Sequence, residues 1–263
     1  MFFRDIIIIK HSSEVKKVEI YSTAEVAKQF NLHPNTIRFY EKMGLMPEIE
    51  RKENGYRIFT KRHILQVELI KAGFKSEILA SSMGKQVIEI IKVVANEEYE
   101  LAEVLIKTYQ ENLEQEERHA KEAIVITEQL LKTDIRAEDT VLFNNRQAAA
   151  DYLGITKNVL REWERSGLLN VARDVRGYHL YRLQDIQRAK IIRTLRSAHY
   201  SMMAVLRMLN AIQCDEKIDI MSAIDTPMEE DIVYVTDRFI TALGQAKNDV
   251  KKMKAILQEI KIR

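Results

Sequence analysis

Asn35, Thr36, Arg38 and Phe39 stand almost side by side, with His33 just before them and Arg51, Lys52 and Arg57 a short way on. An amide, a hydroxyl, a guanidinium and an aromatic ring are the types that reach base edges and phosphates, and the later cations are the types that hold a nucleic-acid backbone. A second set, Lys157, Asn158, Arg161, Arg165 and Arg176, lies further along the chain. Both sets sit in one recurring phrase, NTIRFYEKMGLM at residues 35–46 and NVLREWERSGLL at 158–169. A phrase repeated once at long distance indicates a duplicated small domain rather than a solenoid, which needs three or more copies.

These side chains must be presented by something rigid. Thr23 is expected to cap a short helix, STAEVAKQF, whose Ala24, Val26, Ala27 and Phe30 face inward. Pro34 suits the first turn of a new helix and cannot continue the old one, so two helices meet at a tight turn. The second helix is expected to bury Ile37, Tyr40 and Met43, to expose Asn35, Thr36, Arg38, Phe39 and Lys42, and to end at Gly44. The segment PEIERKENGYRIF follows, and Asn54-Gly55 predicts a hairpin with a type I′ turn. Its tip would carry Arg51, Lys52 and Arg57 beside the second helix.

The second copy aligns through the helices without a gap. Ala149 and Ala150 stand for Val26 and Ala27, Leu153 for Phe30, Arg161 for Arg38, Trp163 for Tyr40 and Glu164 for Glu41. Its wing, VARDVRGYHLY, is one residue shorter, with His179 where the first copy has Arg57 and Glu162 where it has Phe39. A denser ring of cations, Lys157, Arg161, Arg165, Arg173, Arg176 and Arg182, accompanies those changes. Ile64, Val67 and Ile70 in the first copy, and Ile186, Ala189, Ile192 and Leu195 in the second, mark a following helix in each.

Charge follows the same duplication, although the net charge is only +2. Residues 20–92 hold 12 Lys/Arg against 8 Asp/Glu, and 97–139 hold 5 against 13. Residues 143–212 hold 12 against 5, and 215–263 hold 8 against 10. Basic modules are the electrostatic footprint of a partner bearing phosphates. With 8 Gly and 3 Pro in 263 residues the fold class is mostly α. No apolar run reaches membrane-spanning length, and the chain reads as cytoplasmic with no membrane partner. The single Cys214 excludes an internal disulfide and a cysteine-cluster metal site, and is expected to be a small buried residue. Phosphate-binding, zinc-protease and nucleophile-elbow motifs are absent, so no enzyme is expected.

A helix-turn-helix opening near YSTAEVA, continuing through IRFYEKMGLMP and ending in a wing GYRIF, resembles the DNA-binding domain of the MerR family of transcription regulators. The resemblance covers about residues 20–80 well and about 143–210 more loosely. It implies a winged helix-turn-helix, a long helix that pairs antiparallel with its partner's, and a dimer that distorts promoter DNA, meeting RNA polymerase only indirectly. By position, it assigns DNA contact to His33, Asn35, Thr36, Arg38, Phe39 and Arg57; the charge of the wing tip adds Arg51, and in the second copy Lys157, Asn158, Arg161, Arg165 and Arg176 are the candidates. Metal- and redox-sensing members use cysteines that this chain lacks, so no cofactor is implied.

Each copy is followed by a heptad seam. The first runs Tyr99, Ala102, Ile106, Tyr109, Leu113, Glu116, Ala120, Ala123, Thr127 and Leu130, with His119 beside it in solvent; the second runs Phe239, Leu243, Ala246, Val250, Met253, Leu257 and Ile260. The partition is then an N-terminal extension (1–19), a first winged-helix domain (20–92), a first coiled-coil helix (93–132), a linker (133–142), a second winged-helix domain (143–212), a connector (213–230) and a C-terminal coiled-coil helix (231–263). One chain with two winged helices and two arms can fold as its own pseudo-dimer; the alternative is a homodimer carrying four winged helices. A small apolar effector would sit among Tyr99, Tyr109, Met202, Tyr234 and Phe239, residues for which a place in the core is the simpler reading. A different class of function, a protein-interaction or DNA-architectural module whose second domain does not read DNA, would account for Glu162 and the acidic arms.

Overall fold

The structure, a computed structural model, describes residues 6–11, 14–75, 82–132, 140–215, 218–226 and 238–262. It is mostly helical and divides into two compact units. Unit 1 comprises residues 1–113 and 244–263; unit 2 comprises 114–243. The winged helix-turn-helix class expected from the sequence is what forms in each.

Unit 1 opens with an antiparallel hairpin, β1 (Ile6–His11) and β2 (Glu14–Glu19), in the N-terminal extension. Helix α1 (Thr23–Gln29) starts one residue earlier than expected, at Thr23 itself: Ser22 is the N-cap, in a capping box with Glu25. A seven-residue helix is unstable by itself. The box satisfies its free N–H groups and Val26 and Ala27 bury its inner face, while Ala24 is exposed. Asn31 takes a left-handed φ of 54° to turn the chain, and α2 (Pro34–Lys42) follows with proline in its first turn. Ile37 and Tyr40 are buried as expected, whereas Met43 lies at the helix end and is 45% exposed.

The wing departs from the expected turn. Gly55 has φ +81°, Asn54 has no positive φ, and Lys52 N–H donates to the Tyr56 carbonyl. This is a three-residue loop with glycine at the left-handed position, which needs one positive φ where type I′ needs two. Two antiparallel bridges, Tyr21–Phe59 and Arg51–Arg57, complete it. Helices α3 (Lys61–Phe74), α4 (Ser82–Ala95) and α5 (Tyr99–Leu131) follow. Gln66, buried in α3, donates from Nε2 to the carbonyls of Leu45 (2.8 Å) and Ile91 (2.9 Å), fixing α3 to both its neighbours.

Unit 2 repeats the plan. Strand β3 (Val141–Phe143) pairs with β5 (His179–Arg182), which pairs with β4 (Ala172–Arg173). Helix α6 (Arg146–Leu153) is capped by Asn145 and ends at left-handed Gly154, the counterpart of Asn31. Thr156 caps α7 (Lys157–Arg165). The second wing has the same three-residue loop, with Asp174 N–H donating to the Tyr178 carbonyl. The missing residue therefore lies before the wing, between Gly167 and Arg173. Helices α8 (Leu183–Ser197), α9 (Met202–Cys214) and α10 (Ile220–Asp225) complete the unit. Cys214, expected to be buried, is exposed, because it falls in the last turn of α9 with its side chain outward.

Helices α5 and α11 (Phe239–Ile262) each contribute residues to both units, so the compact units do not follow the sequence partition. All seven residues of the second seam are buried, as are Ala102, Ile106, Tyr109, Leu113, Ala120, Ala123 and Thr127 of the first. Burial of each large apolar side chain contributes about 1.5–3 kcal/mol, against a few tenths for surface pairs such as Lys107–Glu111. The seam, not the charge pattern, sets these helices. Within unit 1 the two run antiparallel: Lys254 Nζ donates to Gln110 Oε1 (2.5 Å), and Gln258 Nε2 (3.0 Å) and Lys261 Nζ (2.8 Å) donate to Glu103 Oε1. Among the described residues, no helix is long and apolar enough to cross a membrane.

Helices α3, α4 and α11 meet in unit 1 at Gly73. A Cβ there would stand 2.7 Å from Val87 Cγ1, 3.3 Å from Ile91 Cδ1 and 3.7 Å from Met253 Cε. Gly73→Ala is therefore expected to destabilise unit 1 by about 1–3 kcal/mol despite alanine's higher helix propensity. Calorimetric melting should show the loss, and a Val87→Ala background should shrink it; unchanged or raised stability would refute the close approach.

Candidate nucleic-acid interface

The outer face of α2 carries most of the first predicted set. Arg38 and Phe39 are exposed, Phe39 at 54%, Thr36 is half-buried, and Asn35 accepts from Arg38 Nη1 at 3.1 Å. That pair spans one turn and orients the guanidinium along the helix surface. His33 has a second role that the spacing did not reveal. Its Nδ1 accepts the Asn35 N–H at 3.2 Å, so the imidazole caps α2 and leaves Nε2 as its remaining polar atom.

The wing cations are not free. Glu41, one turn beyond Ile37 on α2, accepts from Arg57 Nε at 2.6 Å and from Arg51 Nη2 at 3.3 Å. Arg57 is only 22% exposed and Arg51 48%. The carboxylate thus ties the wing to α2, and Arg51 and Arg57 fix the position of that helix.

Unit 2 keeps the carboxylate and changes the cation. Glu164, 10% exposed, receives Arg146 from the first turn of α6, with Nε at 3.1 Å from Oε1 and Nη2 at 2.5 Å from Oε2. Tyr181 Oη also donates to Oε1. His179 sits where Arg57 would be, with Nδ1 3.6 Å from Glu164 Oε2 and Nε2 2.9 Å from Arg146 Nη2. A guanidinium can only donate, so Nε2 accepts and the imidazole proton is on Nδ1. Burial pushes the Glu164 carboxyl up, but the hydrogen bonds of Arg146 and Tyr181 outweigh it and leave its pKa below 4.5. Burial, reinforced by the Arg146 and Arg173 charges against the pull of Glu164, lowers His179 below 6.5. Burial first, then Glu164, raises the Tyr181 phenol well above its usual range.

Arg146 was missed by sequence reasoning. One signal pointed to it: a wing arginine lost to His179 while its helix glutamate is retained leaves a carboxylate in need of another cation. Lys157, Asn158, Arg161, Arg165 and Arg176 are all exposed. Arg161, Arg165, Arg173 and Arg146 line a hollow of about 510 Å³ beside Glu164 and His179. Glu162 is exposed on the same helix. Arg182 is instead the N-cap residue of α8.

Two further tethers recur in both units. Gln66 and Arg188 reach the carbonyls of the equivalent Leu45 and Leu168, the latter at 2.7 Å. Lys71 and Arg193 reach those of Phe30 (2.8 Å) and Leu153 (2.5 Å), closing the end of the first helix of each turn. Of the residues weighed for an effector, Tyr109 is buried in unit 1 and Phe239 in unit 2, where their apolar surface is spent on packing. Tyr99 and Met202 are half-buried, and Tyr234 lies outside the described residues.

Residues 22–59 match the family described as "MerR family regulatory protein", and residues 147–212 match "MerR HTH family regulatory protein". The chain is 37% identical over 90 residues to the HTH-type transcriptional regulator AdhR of Bacillus subtilis, covering 30% of this chain and 64% of that one, short of two thirds of it. It is 31% identical over 108 residues to the HTH-type transcriptional regulator CueR of Salmonella typhi, covering 41% of this chain and 75% of that one. It is 37% identical over 51 residues to the mercuric resistance operon regulatory protein of Bacillus cereus, covering 19% and 39%. No solved structure matches.

Trp163, buried in α7, is the chain's one tryptophan and reports on unit 2 alone. Arg146→Met should lower unit 2 stability at pH 7 by about 2–3 kcal/mol, because it strands a buried carboxylate, read as the urea midpoint of Trp163 fluorescence. Glu164 is held below its ordinary 4.5, so its contribution is full above that pH and lost as pH falls through the folded value. The gap between variant and wild type should therefore close in acid. His179, held below 6.5, binds its proton more readily when unfolded, so its contribution also falls as pH drops below 6.5. A gap that persists unchanged in acid would refute the assignment of the carboxylate.

Proposed function

The chain belongs to the MerR family of regulatory proteins, and from that premise we propose that it is a sequence-specific, DNA-binding transcription regulator working as a single-chain pseudo-dimer. The observation that carries the reading is the antiparallel pairing of α5 with α11 in unit 1 through Gln110–Lys254 and Glu103–Lys261. The arm contact that the family makes between two chains is supplied here by one. Recognition helices α2 and α7 then meet successive half-sites of promoter double-stranded DNA. Their exposed faces differ, with Arg38 and Phe39 in one and Arg161 and Glu162 in the other, so the half-sites differ too.

In this reading α2 reads base edges through Asn35, Thr36 and Arg38, with His33 and Phe39 beside them. The second unit, richer in arginine, contributes more to backbone contact through Lys157, Asn158, Arg161, Arg165 and Arg176, and phosphate contact positions without specifying sequence. Binding a duplex at two half-sites would let the protein distort the DNA between them, at an elastic cost that depends on the sequence bent. RNA polymerase is then affected through promoter shape and not by direct contact, and the protein acts in the cytoplasm with its DNA. Exposed Glu162 favours a second reading in which unit 2 engages a protein or only the DNA backbone.

Selection of binding sites from random duplex DNA by the purified chain is expected to return two unlike half-sites in inverted orientation. Arg38→Ala should relax one half-site by about 1–3 kcal/mol of discrimination, and Arg161→Ala should chiefly flatten the salt dependence, by about 0.9 in log–log slope per phosphate lost. A single enriched half-site would confine sequence reading to unit 1. A mass of two chains at micromolar concentration would sink the pseudo-dimer, and no enrichment at low salt would sink DNA reading altogether.

A further inference from the structure

Unit 1 contains a cleft of about 770 Å³ between the α1–α2 turn, the end of α3 and the second half of α11. Its walls include Phe30, Leu32, Tyr40, Phe74 and Ile256, and the Tyr40 and Phe74 rings meet edge to face with centroids 6.4 Å apart. The volume is that of a small-molecule site with mostly apolar walls.

One charged group in the wall is buried. The Asp249 side chain is 7% exposed, and its Oδ1 meets Lys252 Nζ at 3.5 Å. Among the described residues that is its one partner, at the outer limit of a hydrogen bond, from a lysine that is 58% exposed. A carboxylate withdrawn from water needs strong donors, and its two oxygens offer about four acceptor sites. The other rim lysines do not meet that need: Lys71 donates to the Phe30 carbonyl at 2.8 Å with its ammonium over the Phe30 ring, and Lys75 is exposed at the end of α3.

Aromatic walls around an under-satisfied buried anion complement an organic ammonium ion carried on an apolar ring. We infer that this cleft binds an amphiphilic organic amine, its ammonium on Asp249 and its ring against Phe30, Tyr40 and Phe74, with Lys252 swung into solvent. Lys252 acts as a placeholder cation. Tyr40 belongs to the inner face of α2, so an occupant touches the helix whose outer face carries Arg38 and Phe39. The site requires no DNA.

The test is calorimetric titration of the full chain, without DNA, with three probes sharing one indole ring: tryptamine, tryptophol and indoleacetate. Tryptamine should bind roughly 10-fold or more tighter than the other two, the range of a charge-assisted hydrogen bond. Asp249→Asn should abolish that preference while leaving the helical circular dichroism unchanged. Lys252→Met, on the surface, should tighten tryptamine several-fold, and Lys75→Met, which removes the same charge from the cleft's lining without breaking the Asp249 pair, should change it little. Equal affinity for the three probes, preference for indoleacetate, or identical effects of the two lysine substitutions would overturn the inference. Should Asp249→Asn fail to fold, the two lysine variants decide it alone. Because no DNA is present, failure here leaves the DNA-reading proposal untouched, and the reverse also holds.

Discussion

A recognition helix reads a surface only if its angle to the wing is fixed, and in both units one glutamate carboxylate fixes it. Glu41 and Glu164 occupy the same turn of α2 and α7, and each gathers its donors from elements distant in sequence. Withdrawing a carboxylate from water is unfavourable, so it must be met by charge-assisted bonds of good geometry. That need orders the wing, the helix and, in unit 2, the start of α6 around one group. The side chains that face outward inherit their positions from it.

Duplication allowed the two clamps to diverge. In unit 1 the wing supplies both guanidinium groups, Arg51 and Arg57; in unit 2 the wing position holds a neutral imidazole and the cation comes from Arg146. The tethers of Gln66 and Arg188, and of Lys71 and Arg193, show the same pattern. A backbone carbonyl is held at each equivalent place while the donor changes type. Backbone acceptors persist because the fold fixes them, and any long donor of sufficient reach satisfies them.

Helices α5 and α11 obey a different constraint. Each buries a continuous apolar seam, and their polar contacts, Gln110–Lys254 and Glu103–Lys261, lie on the exposed flank. The seam supplies the stability and the flank pairs set register, since exposed pairs contribute little by themselves.

Much of this was legible in the sequence because periodic burial is local. The heptads, the inward Ile37 and Tyr40, the start of α2 at Pro34 and the outward Arg38 and Arg161 follow from spacing along one helix. A turn type was misread because Asn-Gly favours two positive φ angles, whereas the Lys52–Tyr56 hydrogen bond admits only glycine in that conformation. The partners of Glu41 and Glu164, the tethers onto Leu45 and Leu168, the exposure of Cys214 and the burial of Asp249 in an aromatic cleft lie between elements far apart in the chain. The sequence by itself determined two basic helix-turn-helix modules, each with an amphipathic arm, because those depend on neighbours three and four residues away. Only the tertiary structure decided which cation meets which carboxylate, because an ion pair is selected by distance in space, and residues as far apart as Arg146 and Glu164 acquire that distance when the chain packs.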